Sequence, residues 1–335
     1  MTFGIDIGTT AVAGVAVDGL VVRASVTRAH GADVAGMGHG VSEQDPQRIL
    51  AAVRDVLAEL EDRAGRAERI GWTGQMHGVV AVDESLDPLT NFVTWRDARR
   101  YGGSVMAGWR AQGLKPYKCL PVCGYAIARL FGRCVIDETF LESWHLECAS
   151  GVPESWLPER VDGSMLGDNQ AGVLAAQRIL PGSAVINLGT SGQLSRVIDG
   201  GERVVTGSGV ENRAFVGGKR LLCRASLVGG KAFADLRLRR DLSWEEMNAR
   251  AETDDEIRAC IERIVDDLFL GIDLVGVSGV VGVGNALTRN PAIRVAVERR
   301  LGLPCRVPEI AEMAAYGAAL NEERKDNGLW TDESS

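Results

Sequence analysis

Phe3-Gly-Ile-Asp-Ile-Gly-Thr-Thr-Ala-Val-Ala-Gly-Val-Ala-Val-Asp-Gly-Leu-Val-Val22 decides the fold. Apolar residues flank Gly8-Thr9-Thr10 on both sides, which reads as a strand, a tight turn and a second strand. Val17-Asp18-Gly19 then turns into a third. Outward from this meander, Ile49, Leu50, Val53, Val56, Leu57 and Leu60 recur at helical spacing and predict a helix over 45–62. Asp45-Pro46 supplies its N-cap and first-turn proline. A strand over 69–74 returns to the sheet. From Pro181-Gly182 the plan repeats: 183–198 reads as an apolar strand, a Gly189-Thr190-Ser191 turn and a strand. A helix over 254–269 shows Ile257, Ile261, Ile264, Val265 and Leu268 on one face. A strand over 277–281 leads into Gly282-Val-Gly-Asn-Ala286, a helix over 290–301 and an Ala-rich closing helix over 313–320. The similarity of the two Gly-Thr turns is short. Its weight comes from its place after an apolar strand in each half. Between 101 and 165 the pattern has no clear period, and no elements are assigned.

The chain of 335 residues is about two domains long. With 45% hydrophobic and 24% charged residues it has ample material for a core, which excludes a disordered tail or fibrous repeat. The net charge of −8 argues against a nucleic-acid partner. Small anions stay open, because backbone N–H groups bind phosphate without net positive charge. Seven scattered cysteines, none in a CxxC pair, point to a reduced, cytoplasmic setting. No stretch reaches the roughly 18 apolar residues a bilayer crossing requires. The apolar N-terminus is interrupted by Asp6 and has no basic region, so it reads as strands and not as a signal peptide.

Several residues could carry chemistry. Asp6 is a carboxylate in an apolar strand. It either caps the Gly8-Thr9-Thr10 turn or partners Mg²⁺ beside a phosphate-holding loop. Gly8 admits phosphate oxygens to the backbone, and Thr9 and Thr10 add hydroxyl donors. Gly189, Thr190 and Ser191 offer the same in the second half, so two such turns facing each other would grip a polyphosphate. No Walker motif is present. Gly284 and Asn285, between a strand and a helix, and Gly229-Gly230 are weaker nucleotide signals that equally mark close packing. Thr73-Gly-Gln-Met-His-Gly78 follows a strand and sets Gln75, Met76 and His77 in a tight loop where open α/β sheets bind ligands. A structural His77 is the alternative. Trp95 and Asp97 offer an aromatic platform and a polar group for a sugar, or a core aromatic. Asp168, opening a small-residue helix after Gly167, is either its N-cap or a general base for a hydroxyl nucleophile.

Together these blocks resemble the FGGY carbohydrate kinases of the actin/hexokinase-like ATPase superfamily, and among them the sedoheptulokinase branch. Ser42-Glu-Gln-Asp-Pro-Gln-Arg-Ile-Leu50, Gly74-Gln-Met-His-Gly-Val-Val80, Val93-Thr-Trp-Arg-Asp97, Leu166-Gly-Asp-Asn-Gln170, Ile186-Asn-Leu-Gly-Thr-Ser-Gly-Gln-Leu194 and Gly284-Asn-Ala-Leu-Thr-Arg-Asn290 keep the family's order. The resemblance implies an α/β protein of two RNase H-like domains with a central cleft, divided as 1–180 (sugar side) and 181–330 (nucleotide side). It implies ATP and Mg²⁺ as cofactors and Asp168 as base. Gln75, Met76, His77, Trp95 and Asp97 then lie near the sugar, and Thr10 and Thr190 at the phosphates. Gly229, Gly284 and Asn290 lie toward the adenosine. The chain is short for the family, with the segments between Asp97 and Asp168 and between Gly230 and Asp254 trimmed.

The expected activity is ATP-dependent phosphorylation of a ketose, a seven-carbon sugar before a five-carbon one. The alternatives are a kinase for another sugar or sugar-like intermediate, a sugar- or nucleotide-binding sensor without catalysis, and a reductase-activating ATPase of the same superfamily. The last needs a cluster-binding cysteine pair that the scattered cysteines do not offer. The expected partners are a small-molecule sugar and, at most, a second copy of the chain as a homodimer. Nucleic acid and membrane are not expected.

Overall fold

The computed structural model describes residues 1–36, 38–99, 101–202, 207, 209–226 and 228–321. It divides into two compact units, residues 1–175 with the segment from Glu312, and residues 176–311. In chain order the first unit runs β1 (Thr2–Ile7), β2 (Ala11–Asp18), β3 (Val21–Ala29), β4 (Glu43–Gln44), α1 (Pro46–Ala64), β5 (Arg69–Gly74), β6 (Val80–Val82), β7 (Phe92–Val93) and α2 (Gly102–Ala111). It continues with β8 (Lys118–Leu120), α3 (Val122–Phe131), β9 (Val135–Ile136), α4 (Glu138–Ser143), β10 (Glu159–Arg160) and β11 (Leu166–Gly167). Then α5 (Asp168–Ile179) carries the chain into the second unit.

The main sheet of the first unit has the order β11-β5-β1-β2-β3. The opening meander is antiparallel, whereas β5 runs parallel to β1 and β11 parallel to β5. Helix α1 connects β3 to β5. Asp45 accepts hydrogen bonds from the Gln47 and Arg48 N–H groups, and Pro46 occupies the first turn. Of the six residues the spacing predicts, Ile49, Leu50, Val53, Val56 and Leu60 are buried and Leu57 is half-buried. Each fully buried side chain contributes roughly 1.5–3 kcal/mol.

In the second unit the strands are β12 (Ala184–Leu188), β13 (Gly192–Ile198), β14 (Val210–Ala214), β15 (Arg220–Ser226), β16 (Val280–Val283) and β17 (Cys305–Arg306). They form one sheet of order β14-β15-β13-β12-β16-β17. Strands β12, β13 and β15 are antiparallel, and β16 and β17 then add in parallel. Apart from β14, which extends the edge, this is the strand order of the first unit. The repeat read from the two Gly-Thr turns is therefore a repeat of topology. Around this sheet lie α6 (Gly230–Arg239), α7 (Trp244–Ala249), α8 (Asp255–Phe269), α9 (Asn285–Arg289) and α10 (Pro291–Leu301). Helix α8 buries the five residues predicted, behind an Asp254 cap.

The last described helix, α11 (Met313–Ala319), belongs to the first unit. A division into 1–180 and 181–330 does not contain this return, and 322–330 lie outside the described residues. The reason is steric fit. A Cβ on Gly4 of β1 would stand 1.9 Å from the Ala315 carbonyl oxygen, and one on Gly71 of β5 would stand 1.9 Å from that of Ala318. Backbone lies on backbone there, which only glycine in the strands permits.

Candidate active site

Three parallel strands of the first unit, β1, β5 and β11, carry the predicted groups at or just past their carboxyl ends, where open α/β sheets place ligands. Asp6 is the cross-strand neighbour of Thr73, which also pairs with Leu166. Asp6 Oδ1, Thr73 Oγ1 and Gln75 Oε1 are buried and have no hydrogen-bond partner among the described residues. Burial first, then the negative charges of Asp168 and Glu312, push the Asp6 pKa from 3.8 to about 7. No hydrogen bond to the turn uses Asp6 Oδ1, which leaves that oxygen available to a cation. Hard carboxylate oxygens of this kind fit Mg²⁺. Cys123 lies beside them, and burial, then Asp6 and Asp168, keep its thiol protonated well above the ordinary range.

The Gly8-Thr9-Thr10 turn is braced from several sides. Its Gly8 N–H donates to Ala11 O at 3.0 Å. Buried His30 receives the Ala32 N–H on Nδ1 at 3.1 Å. Nε2 therefore carries the proton and donates to Gly8 O at 3.3 Å. Burial lowers the His30 pKa, with the Gly8 contact opposing it. Gln44, wholly buried, donates through Nε2 to Thr9 O at 2.6 Å and to Asp33 Oδ1 at 2.8 Å. Gln75 donates to Gln44 Oε1 at 2.9 Å. Neither His30 nor Gln44 was singled out by sequence reasoning. Gln44 stands inside the 42–50 block but has no local signal of its own.

Trp95 is 52% exposed, which excludes the core-aromatic alternative. Its Nε1 donates to Thr9 Oγ1 at 3.0 Å, which joins the expected sugar loop to the expected phosphate turn. A threonine hydroxyl that accepts from indole keeps its own proton to donate. Met76 is buried against Gly167, where a Cβ would meet its sulfur at 2.5 Å. His77 has φ 67°, a left-handed conformation rare outside glycine, and its Nδ1–H donates to Ser143 O at 2.9 Å. Tyr101 and His145 close a ring cluster with it. The His77–Tyr101 and Tyr101–His145 centroids are 5.4 and 4.1 Å apart. Both lie in the segment 101–165, where the sequence shows no period.

Asp97 is placed differently from a group open to sugar. It is buried, and its oxygens accept from Ser42 N at 2.8 Å and Arg99 Nε at 2.7 Å. Burial alone would raise its pKa, but the Arg99 and Ser42 hydrogen bonds outweigh that and lower it. It ties its own loop to the segment before α1. Asp168 is exposed as the first residue of α5, and its Oδ1 accepts from Asn169 N at 2.8 Å.

In the second unit, Gly189 N–H donates to Ser191 O at 3.0 Å, and Thr190 is exposed. Gly229 and Gly230 let α6 start directly on this turn. Gly230 N–H donates to Gly189 O at 2.9 Å and Lys231 N–H to Thr190 O at 3.1 Å. Gly284, at φ 89°, approaches Leu188 O, and Asn285 is exposed at the start of α9. Asn290 turns inward: its Nδ2 donates to Ala286 O at 2.7 Å and its Oδ1 accepts from Asn248 at 3.2 Å. It braces the α9–α10 junction instead of facing outward. Among the described residues no group of three or more His, Cys, Asp and Glu side chains forms a metal cage, and no helix is long and apolar enough to cross a membrane.

Residues 1–119 match the profile of the FGGY family of carbohydrate kinases, N-terminal domain. Over those residues the chain is similar to the N-terminal domain of that family. A xylulose kinase from Staphylococcus epidermidis is 35% identical over 104 residues, which cover 30% of this chain and 21% of that protein. Sedoheptulokinase from Homo sapiens is 28% identical over 60% of each. The match thus spans about a fifth of the first relative and three fifths of the second. The structure of ligand-bound xylulose kinase from Lactobacillus acidophilus superposes with a TM-score of 0.80 at 18% identity, over 95% of this chain and 88% of that one. That likeness establishes the actin/hexokinase-like fold expected from the sequence.

Proposed function

We propose that this protein is an ATP-dependent carbohydrate kinase acting on a primary hydroxyl of a ketose, with sedoheptulose ahead of xylulose and ribulose. One observation carries the reading: an Asp6 carboxylate with a buried, unpartnered Oδ1 beside a braced Gly-Thr-Thr turn, electrostatically coupled to Asp168, which follows β11 two strands away in the sheet. Phosphoryl transfer is mainly positioning and charge neutralisation. Asp6 would hold Mg²⁺, which when bound neutralises phosphate charge. Thr9 and Thr10 donate to phosphate oxygens. In the second unit Gly189, Thr190, Gly229, Gly230, Gly284 and Asn285 serve the nucleotide, with Asn290 bracing the end of α9, the helix that Asn285 opens. Met76, His77 and Trp95 face the sugar, with Gln75 supporting the turn through Gln44.

Asp168 accepts the proton of the sugar hydroxyl as its oxygen bonds to the γ-phosphorus and the bond to the β-phosphate oxygen breaks. The products are a sugar phosphate and ADP. An ordinary carboxylate suffices as base when the proton moves late. Seven free thiols, none in a disulfide, suit a cytoplasmic setting. A coupled ADP-release assay over ketoses, polyols and aldoses tests the reading. Sugar-dependent release with a ketose supports it. Release that no sugar stimulates would leave a nucleotide hydrolase, and no release with any acceptor would favour a binding protein. The xylulose kinase relatives make a five-carbon ketose the second reading.

A further inference from the structure

The segment that precedes Asp168 is held by a buried side-chain chain that the mechanism has not used. Asp137 and Thr139 are each 4% exposed. Asp137 Oδ1 accepts from the Thr139 N–H at 2.8 Å and from the Thr139 hydroxyl at 2.7 Å. Its Oδ2 accepts from the Gly163 N–H at 2.6 Å. The Gly167 N–H donates to Thr139 Oγ1 at 3.1 Å. Capping of α4 accounts for the first of these bonds and for none of the other three. Because the hydroxyl proton points to Asp137, the oxygen lone pairs are left to face Gly167. One carboxylate thus fixes both ends of 163–167, and Asp168 follows immediately.

We propose that Asp137 and Thr139 are positioning residues for Asp168, a clamp that fixes the strand end from which the base projects. The proposal rests on Asp168 being the proton acceptor. A displacement of about 1 Å of a reacting group can cost on the order of 10²-fold in rate, which is the scale the clamp has to protect. A hydroxyl at 139 is the required feature, not its volume.

Thr139→Val keeps the shape and removes the hydroxyl, and Thr139→Ser restores it. With the sugar found active, Thr139→Val is expected to lower kcat by roughly 10–10²-fold while both KM values stay near wild type. Thr139→Ser should recover most of the loss. Hydrogen exchange of the peptide over 163–168, read by mass spectrometry, should speed up by about tenfold in Thr139→Val and return in Thr139→Ser. A folded Thr139→Val with wild-type kcat, or a loss that serine does not rescue, overturns the proposal. Should Thr139→Val fail to fold, Asp137→Asn weakens the same chain at constant volume and must show the same pattern. A wild-type protein that phosphorylates no sugar counts against the kinase reading. Unchanged exchange in the variants counts against the clamp, and needs no substrate to be seen.

Discussion

At the scale of single residues, the site is built by side chains that aim other groups. His30 binds the Gly8 turn only as the neutral ring with its proton on Nε2, since Nδ1 already receives the Ala32 N–H. Its folded pKa lies below the ordinary 6.5, so the folded state binds fewer protons than the unfolded chain. The stability this gives is present above pH 6.5 and is lost as pH falls through the lowered value. Melting temperatures taken across that range should fall toward acid in the wild type and fall less steeply in His30→Gln, which keeps a donor for Gly8. Parallel slopes would remove His30 from the account. Trp95→Phe keeps the ring and deletes the donor to Thr9. A hydrogen bond worth about 1 kcal/mol predicts a roughly fivefold higher ATP KM with the sugar KM unchanged, read from initial rates. An effect on the sugar KM alone would mean that the indole N–H serves the sugar and not the turn. Gln44, Tyr101 and His145 were not legible as site residues, because their roles arise from long-range partners: Gln44 meets Thr9 35 positions away, and Tyr101 meets a histidine 44 positions on.

At the scale of elements, what was legible had a period or a cap. Helices α1 and α8 show apolar spacing behind Asp45 and Asp254, and both form almost as read. The meander and the two Gly-Thr turns follow from alternation around glycine. The segment 101–165 was opaque because α2, α3 and α4 are short, at 10, 10 and 6 residues, and α3 is buried almost all round. Such a helix has no polar stripe to reveal its period. The return of α11 to the first unit was also hidden, since small residues fitted onto backbone have no hydrophobic signature. It makes a sharp expectation nonetheless. Gly71→Ala places a methyl 1.9 Å from the Ala318 carbonyl oxygen and must push α11 off the sheet. Chemical denaturation should show a loss of about 1–3 kcal/mol or more, whereas Gly108→Ala, with open space around its Cβ, should cost nothing or stabilise. Equal stabilities for the two variants would contradict the packing described.

At the scale of the whole molecule, two units of one topology each present a Gly-Thr turn, and the first adds the coupled carboxylates of Asp6 and Asp168 and the loop cluster of Met76, His77 and Trp95. On the proposed reading, the shortened 101–165 region would leave room at the far end of the sugar. A seven-carbon ketose should therefore serve better than xylulose or ribulose, and glycerol should be poor. The central claim is that Asp168 drives phosphoryl transfer to a sugar hydroxyl. The most direct measurement is ³¹P NMR of ATP, Mg²⁺ and sedoheptulose incubated with wild-type protein and with Asp168→Asn. The account predicts a phosphomonoester signal growing with ADP in the wild type and slowed by roughly 10²–10⁴-fold in the variant, whose ATP affinity stays within a few-fold. A phosphomonoester formed by Asp168→Asn at a tenth or more of the wild-type rate, or inorganic phosphate in place of the sugar phosphate, would contradict it.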